Sequence, residues 1–241
     1  HIVSTGNEIT DDYRSPLSGA QIYNSNAPYL LASAKAQGLD AVYEGIIRDE
    51  PALLEQKIAA ITEPAIIIST GAVSKGVWDF IPDSLKKMGA EIHFHRVNIR
   101  PGKPVLFATL PNGSFYFGLP GNPISSAIGF TFFVIPLLHT LQGLEPEQPL
   151  MATLENNFAK KGDFRQFLKS QVWLDNAGTL RARIADGQES FKISPMAANN
   201  AWVILEENIS VCQAGATVPV MLYGALKTKT MTKDTTLCQA A

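Results

Sequence analysis

The stretch Ala65-Ile66-Ile67-Ile68-Ser69-Thr70-Gly71-Ala72-Val73-Ser74-Lys75-Gly76 runs from an apolar segment into a glycine-bearing turn. Apolar residues without polar alternation read as a strand buried on both faces, the pattern of a parallel sheet. The turn that closes it offers the hydroxyls of Thr70 and Ser74. It also offers main-chain N–H groups that Gly71 and Gly76 leave open to a ligand. Two similar turns occur further along. Leu119-Pro120-Gly121-Asn122-Pro123 opens the apolar segment Ile124 to Leu141, read as a helix with Pro123 near its first turn. Such a helix start adds a positive dipole end for a phosphate or oxyanion. Arg100-Pro101-Gly102-Lys103-Pro104 is a stiff turn that holds two cations near one point. The chain is built to hold an anionic ligand.

Outward from these turns, residues 1–144 alternate strand and helix. Strands are expected at Ile2 to Ser4, Ala41 to Ile47, Ala65 to Ser69, Ile92 to Ile99, Val105 to Leu110 and Phe115 to Gly118. Asn24-Ser25-Asn26 supplies caps for a helix that Gly38 ends. Pro51 starts a second helix, Phe80 to Met88 forms a third, and Pro123 to Leu141 forms the last. Alternation of this kind predicts a three-layer α/β/α domain with a mostly parallel sheet. Ligands of such sheets bind beyond the carboxyl ends of the strands, where the turns fall. Residues 143–149 read as a linker. The periodicity then changes to two over Phe167 to Leu174, Thr179 to Ile184, Ala201 to Leu205 and Thr217 to Leu222, which predicts a small all-β barrel over residues 148–225. Residues 226–241 read as a flexible tail.

With 241 residues, 46% hydrophobic and 17% charged, the chain is long and apolar enough for two packed domains. A net charge of −2 gives no basic field, which excludes nucleic acid as the expected partner. Two cysteines, Cys212 and Cys238, make no disulfide framework, and a reducing cytoplasm is the natural reading. The apolar run Ala127 to Leu138 reads as too short and interrupted to span a bilayer. A chain that starts at His1 inside a strand-like segment is expected to be a piece of a longer protein.

Seven motifs occur in order: Thr5-Gly6-Asn7-Glu8, Asn24 with Asn26, Arg48-Asp49, Ser69 to Gly76, Asp79-Phe80, Arg100 to Pro104, and Leu119 to Ser125. In that order the chain resembles the MoeA/gephyrin family of molybdenum insertases from Ser4 to about Tyr223. The resemblance implies a molybdopterin-binding α/β domain, a C-terminal β-barrel domain, and insertion of molybdate into adenylated molybdopterin with release of AMP. It implies Mg²⁺ held by Glu8, Asp49 and Asp79, which would also serve catalysis. Thr70, Gly71, Ser74, Gly76, Pro120, Gly121, Asn122, Pro123 and Ser125 would hold pterin and phosphate. Arg100 and Lys103, joined by Arg165 and Ser190 of the later segments, would hold molybdate. The family's usual Asp and Gly are replaced by Asn7 and Ala72, and Lys75 adds a charge. The linker and lid domains that support dimer formation in the family are not in this sequence, and a homodimer is expected of the full-length protein.

Each group also has a plainer reading. Asp49 caps a helix, while Glu8 and Asp79 are solvated. The Arg100–Lys103 turn is a surface turn, and the other glycine turns serve to pack a helix closely. Arg165 is then an exposed strand arginine and Ser190 a turn serine. His93 and His95, two residues apart on one strand, lack a third ligand and read as sheet-face histidines. Two other functions remain open. One is a CinA-like nucleotide pyrophosphatase, whose central loop differs from Gly71-Ala72-Val73-Ser74. The other is a non-catalytic molybdopterin-binding scaffold.

Overall fold

The computed structural model describes residues 1–72, 80–160 and 162–228. They fall into two units, one of residues 1–146 with 189–191, the other of residues 147–188 with 192 onward. In the first unit six strands form one sheet: β1 (Ile2–Thr5), β2 (Tyr43–Ile47), β3 (Ile66–Thr70), β4 (Glu91–His95), β5 (Leu106–Thr109) and β6 (Phe115–Leu119). Their spatial order is β2-β1-β3-β6-β5-β4. The β1–β2, β1–β3 and β3–β6 pairings are parallel, whereas β6–β5 and β5–β4 are antiparallel. The sheet is therefore mixed, with a parallel half and an antiparallel edge, where the β/α alternation alone predicted a mostly parallel one. The cause is local. β4, β5 and β6 are joined by turns rather than helices, and a turn can only return the chain antiparallel.

Successive residues of the central strands feed opposite faces, as the pleat requires. Val3, Ile67, Leu106 and Tyr116 pack with Leu54 and Ile58 of α2 (Pro51–Ala59) and with Ile81 and Leu85 of α3 (Ile81–Lys87). Ile2, Ile68 and Phe117 pack instead with Ala27, Leu30 and Ala34 of α1 (Asn26–Ala36) and with Phe130, Val134 and Leu138. Two separate apolar clusters, one per face, make the three layers. Each fully buried Leu or Ile contributes about 1.5–3 kcal/mol.

The last helical segment is α4 (Pro123–Gly129), a π-helical turn over Phe130–Val134, and α5 (Ile135–Leu141). Together they are 19 residues long and, by length and composition alone, apolar enough to cross a membrane, whereas the shorter run Ala127 to Leu138 on its own is not. Half of that segment is buried, and Phe130, Val134 and Leu138 lie in the core against the sheet. Two other elements are shorter than read. The strand expected through Ile99 stops at His95, because Arg96 takes φ +70, and β2 starts only at Tyr43. The cap of α1 comes from Asn24, whose Oδ1 accepts the N–H of Ala27 at 3.2 Å; Ser25 makes no capping bond.

In the second unit β7 (Leu150–Leu154), β8 (Arg165–Leu174), β9 (Leu180–Ile184), β10 (Ala201–Leu205) and β11 (Thr217–Leu222) pair in the order β9-β7-β11-β10-β8. β8 also pairs antiparallel with β9, which closes a five-stranded barrel. Its interior holds Leu154, Leu168, Val172, Val203 and Val220. Residues 229–241 of the expected tail lie outside the described residues.

Candidate functional site

The parallel registers place four strand ends side by side. Thr5 is opposite Ile47, Ser4 opposite Thr70, and Thr70 opposite Leu119. The loops that leave these strands therefore share one edge: Glu8 after β1, Asp49 after β2, Gly71 after β3, and Pro120-Gly121 after β6. The chain runs from β1 to β2 on one side and then to β3 on the other. That reversal is the switch point at which open α/β sheets bind ligands.

Main chain shapes the floor of this edge. Gly71 has φ +101, and a Cβ there would collide with the Thr5 carbonyl oxygen. Its N–H donates to the Leu119 carbonyl at 3.0 Å. A Cβ on Gly121 would lie 3.6 Å from Gly71 Cα, so the two glycine turns touch. The adjoining Ala72 has φ +46, a left-handed conformation in which an L-residue is strained by about 1–2 kcal/mol. Thr5 Oγ1 donates to the Thr70 carbonyl at 3.1 Å.

Two buried polar atoms at this edge have no partner among the described residues. Thr70 is fully buried and its Oγ1 makes no hydrogen bond to them. Asn26, 6% exposed, donates through Nδ2 to the Gly121 carbonyl at 2.8 Å, which fixes its amide orientation and leaves Oδ1 unpaired. An unpaired buried group costs about 1–3 kcal/mol, so both are poised for a ligand or water. Sequence reading gave Asn26 as part of a motif and as a helix-cap candidate, not as a site residue. Its one signal was the spacing of two asparagines at a helix start.

The carboxylates separate into two classes. Glu8 is exposed and Asp49 half-buried. Burial pushes the Asp49 carboxyl above its ordinary value, the Asn7 main-chain hydrogen bond opposes this, and the nearby Glu8 charge adds to the rise. Asp49 does not cap α2: the cap position is Glu50, with no side-chain bond. Its N–H instead meets Asn7 Oδ1 at 3.4 Å. Ser74, Gly76 and Asp79 lie outside the described residues. Among the described residues no group of three His, Cys, Asp or Glu side chains could hold a metal.

Arg100 and Lys103 are both exposed. Their turn packs on the start of α4, since a Cβ on Gly102 would lie 3.7 Å from the Ser125 carbonyl and 3.2 Å from Ile99 Cδ1. Ser125 is buried, as is Ser126, whose hydroxyl donates to the Pro120 carbonyl and closes the Pro120–Pro123 turn. The Ser190 carbonyl accepts the N–H of Ile124 at 3.0 Å, which sets Ser190 beside the same helix start. Arg165 begins β8 in the barrel unit and pairs with Glu207 at 3.5 Å. His93 Nε2 is 2.7 Å from Thr109 Oγ1, a sheet-face contact.

A strand edge of touching glycine turns on a doubly covered sheet, followed by a five-stranded barrel, defines an α/β protein with an appended β domain. Residues 1–140 match the family described as "Probable molybdopterin binding domain", and residues 151–223 match "MoeA C-terminal region (domain IV)". The chain belongs to this molybdopterin-binding family and carries the MoeA-type C-terminal domain behind it. It is 34% identical over 227 residues to a molybdopterin molybdenumtransferase of Bacillus subtilis, covering 92% of this chain and 51% of that protein. It is 31% identical over 232 residues to one of Synechococcus elongatus, covering 91% and 54%. The crystal structure of a molybdopterin biosynthesis MoeA protein from Pyrococcus horikosii superposes with a TM-score of 0.74 at 26% identity, covering 93% of this chain and 54% of that one. The chain thus spans about half the length of the relatives it matches.

Proposed function

We propose that this chain acts in molybdenum cofactor biosynthesis, inserting molybdate into adenylated molybdopterin with release of AMP. Support comes first from the strand edge itself, where Thr70 Oγ1 and Asn26 Oδ1 are buried and, among the described residues, unpaired beside two touching glycine turns. In this reading Thr70, Gly71, Ser74 and Gly76, with Pro120, Gly121, Asn122, Pro123 and Ser125, hold the pterin and its phosphate. Arg100, Lys103, Arg165 and Ser190 hold molybdate. Positioning and charge neutralisation then supply most of the rate.

Glu8 and Asp49, with Asp79, would hold Mg²⁺. The raised Asp49 carboxyl beside the Glu8 charge fits this, because a divalent cation relieves like-charge repulsion. When bound, the ion supplies Lewis-acid neutralisation of the phosphoanhydride. Asn7 fixes the main chain at Asp49, so the two carboxylates keep their places while the anion enters. We place the protein in the cytoplasm, and we infer a homodimer for the full-length form.

Calorimetric titration with adenylated molybdopterin tests the pterin site. Thr70→Val should weaken binding roughly tenfold, the loss of one buried hydrogen bond. The same variant should melt no lower than the parent, because it deletes an unpaired hydroxyl rather than a contact. Unchanged affinity would sink this placement of the ligand.

A further inference from the structure

Lys160 is 6% exposed, yet among the described residues its ammonium faces no carboxylate. Nζ donates to the carbonyls of Phe164 at 2.8 Å and Glu207 at 2.6 Å, and also to that of Glu206. All three ammonium protons are thereby engaged by main chain. The Lys160 N–H is fixed as well, donating to the Ser210 carbonyl at 2.8 Å. An ammonium removed from water without a counter-charge is costly, whereas an apolar side chain of the same volume would leave the three carbonyls unpaired. The cation therefore does something that packing would not.

It fixes two pieces of main chain, one on each side of Arg165. Arg165 directly follows Phe164, and its Nη2 lies 3.5 Å from the Glu207 carboxylate. Side chains of both residues are about two-fifths exposed, at 45% and 40%, so the ion pair alone holds little. The contact runs from Nη2, at longer than hydrogen-bond distance, and among the described residues no other partner takes the remaining guanidinium donors, which can meet an anion. Gly162 closes the loop tightly, since a Cβ there would collide with the Phe164 ring.

We propose that Lys160 is a positioning residue for Arg165: its buried ammonium clamps the segments carrying Arg165 and Glu207 and so presents the guanidinium to a tetrahedral oxyanion. This rests on the reading of Arg165 as an anion-holding residue. A long arginine side chain that is ordered in advance binds more tightly than one ordered on binding.

The test is a double-mutant cycle on the full 241-residue chain, with molybdate and tungstate affinities measured by calorimetry beside a thermal melt. Arg165→Ala and Lys160→Met should each weaken anion binding roughly five- to tenfold, and the double variant should be no weaker than either. Lys160→Gln, which keeps a donor, serves in place of Lys160→Met if the latter does not fold. A Lys160 variant with a lowered melting temperature but parental affinity would overturn the positioning role while leaving Arg165 in place. Additive losses would also overturn it, because the two residues would then act separately. Parental affinity in Arg165→Ala would remove Arg165 from the anion site and the positioning role with it.

Discussion

The two units hold their loops by opposite means. At the sheet edge of the α/β unit, loops approach one another because side chains are missing. Gly71 sits on the Thr5 carbonyl, and Gly121 sits on Gly71. In the barrel unit, loops are held by long side chains turned inward. Lys160 takes three carbonyls, and Lys169, fully buried, donates to the Gly187 carbonyl at 2.6 Å and the Lys192 carbonyl at 3.2 Å. Missing side chains let these turns approach one another, while the Gly71 N–H is itself taken by the Leu119 carbonyl. Buried ammonium groups leave no room but fix the main chain around them.

If that contrast is right, Gly71→Ala is the most damaging single change. Its Cβ would press on the Thr5 carbonyl at a φ of +101, and more than about 3 kcal/mol of stability should be lost in urea denaturation. Gly121→Ala is the sharper control. Among the described residues it meets only Gly71 Cα at 3.6 Å, so the fold should survive while ligand affinity falls. Next comes Lys160→Met, which strands three carbonyls and should cost about 2–4 kcal/mol in the same assay. A loss below that range would mean the barrel loops do not depend on the ammonium.

The Asp49 carboxyl gives a smaller and different effect. A folded-state pKa raised above the unfolded one favours the protonated form in the fold. Ionised Asp49 therefore opposes folding at neutral pH, and that opposition fades as pH falls through its raised pKa. Mg²⁺ binding should accordingly strengthen as pH rises through the same range. In Glu8→Gln, carboxyl NMR should show Asp49 titrating lower than in the parent. An unmoved titration would separate the two carboxylates. The smallest effect is expected of Ala72→Gly. Release of a φ of +46 is offset by greater unfolded-chain entropy, leaving a gain of less than about 1 kcal/mol.

This contrast also explains what the sequence disclosed. Gly71, Gly102 and Gly121 are legible because glycine beside proline or after an apolar strand has few other uses. The strand pattern was equally plain at Ile66–Thr70 and Ala201–Leu205. Lys160 and Lys169 were not legible. A lysine reads as solvated surface, and only tertiary packing reveals that its ammonium is enclosed by carbonyls far along the chain. Arg96 hid the end of β4, since its positive φ has no residue-type signal. The π-turn at Phe130–Val134 was hidden within an unbroken apolar run. The reversal of β5 was missed because periodicity reports burial, not orientation.

In the proposed function the strand edge carries a phosphoanhydride-bearing pterin whose cleavage is tied to molybdate. The most direct measurement is AMP released from adenylated molybdopterin by this chain in the presence of Mg²⁺, with and without molybdate. Release is expected to depend on molybdate and to be lost in Asp49→Asn. Release at the same rate without molybdate would contradict it and mark a nucleotide pyrophosphatase instead.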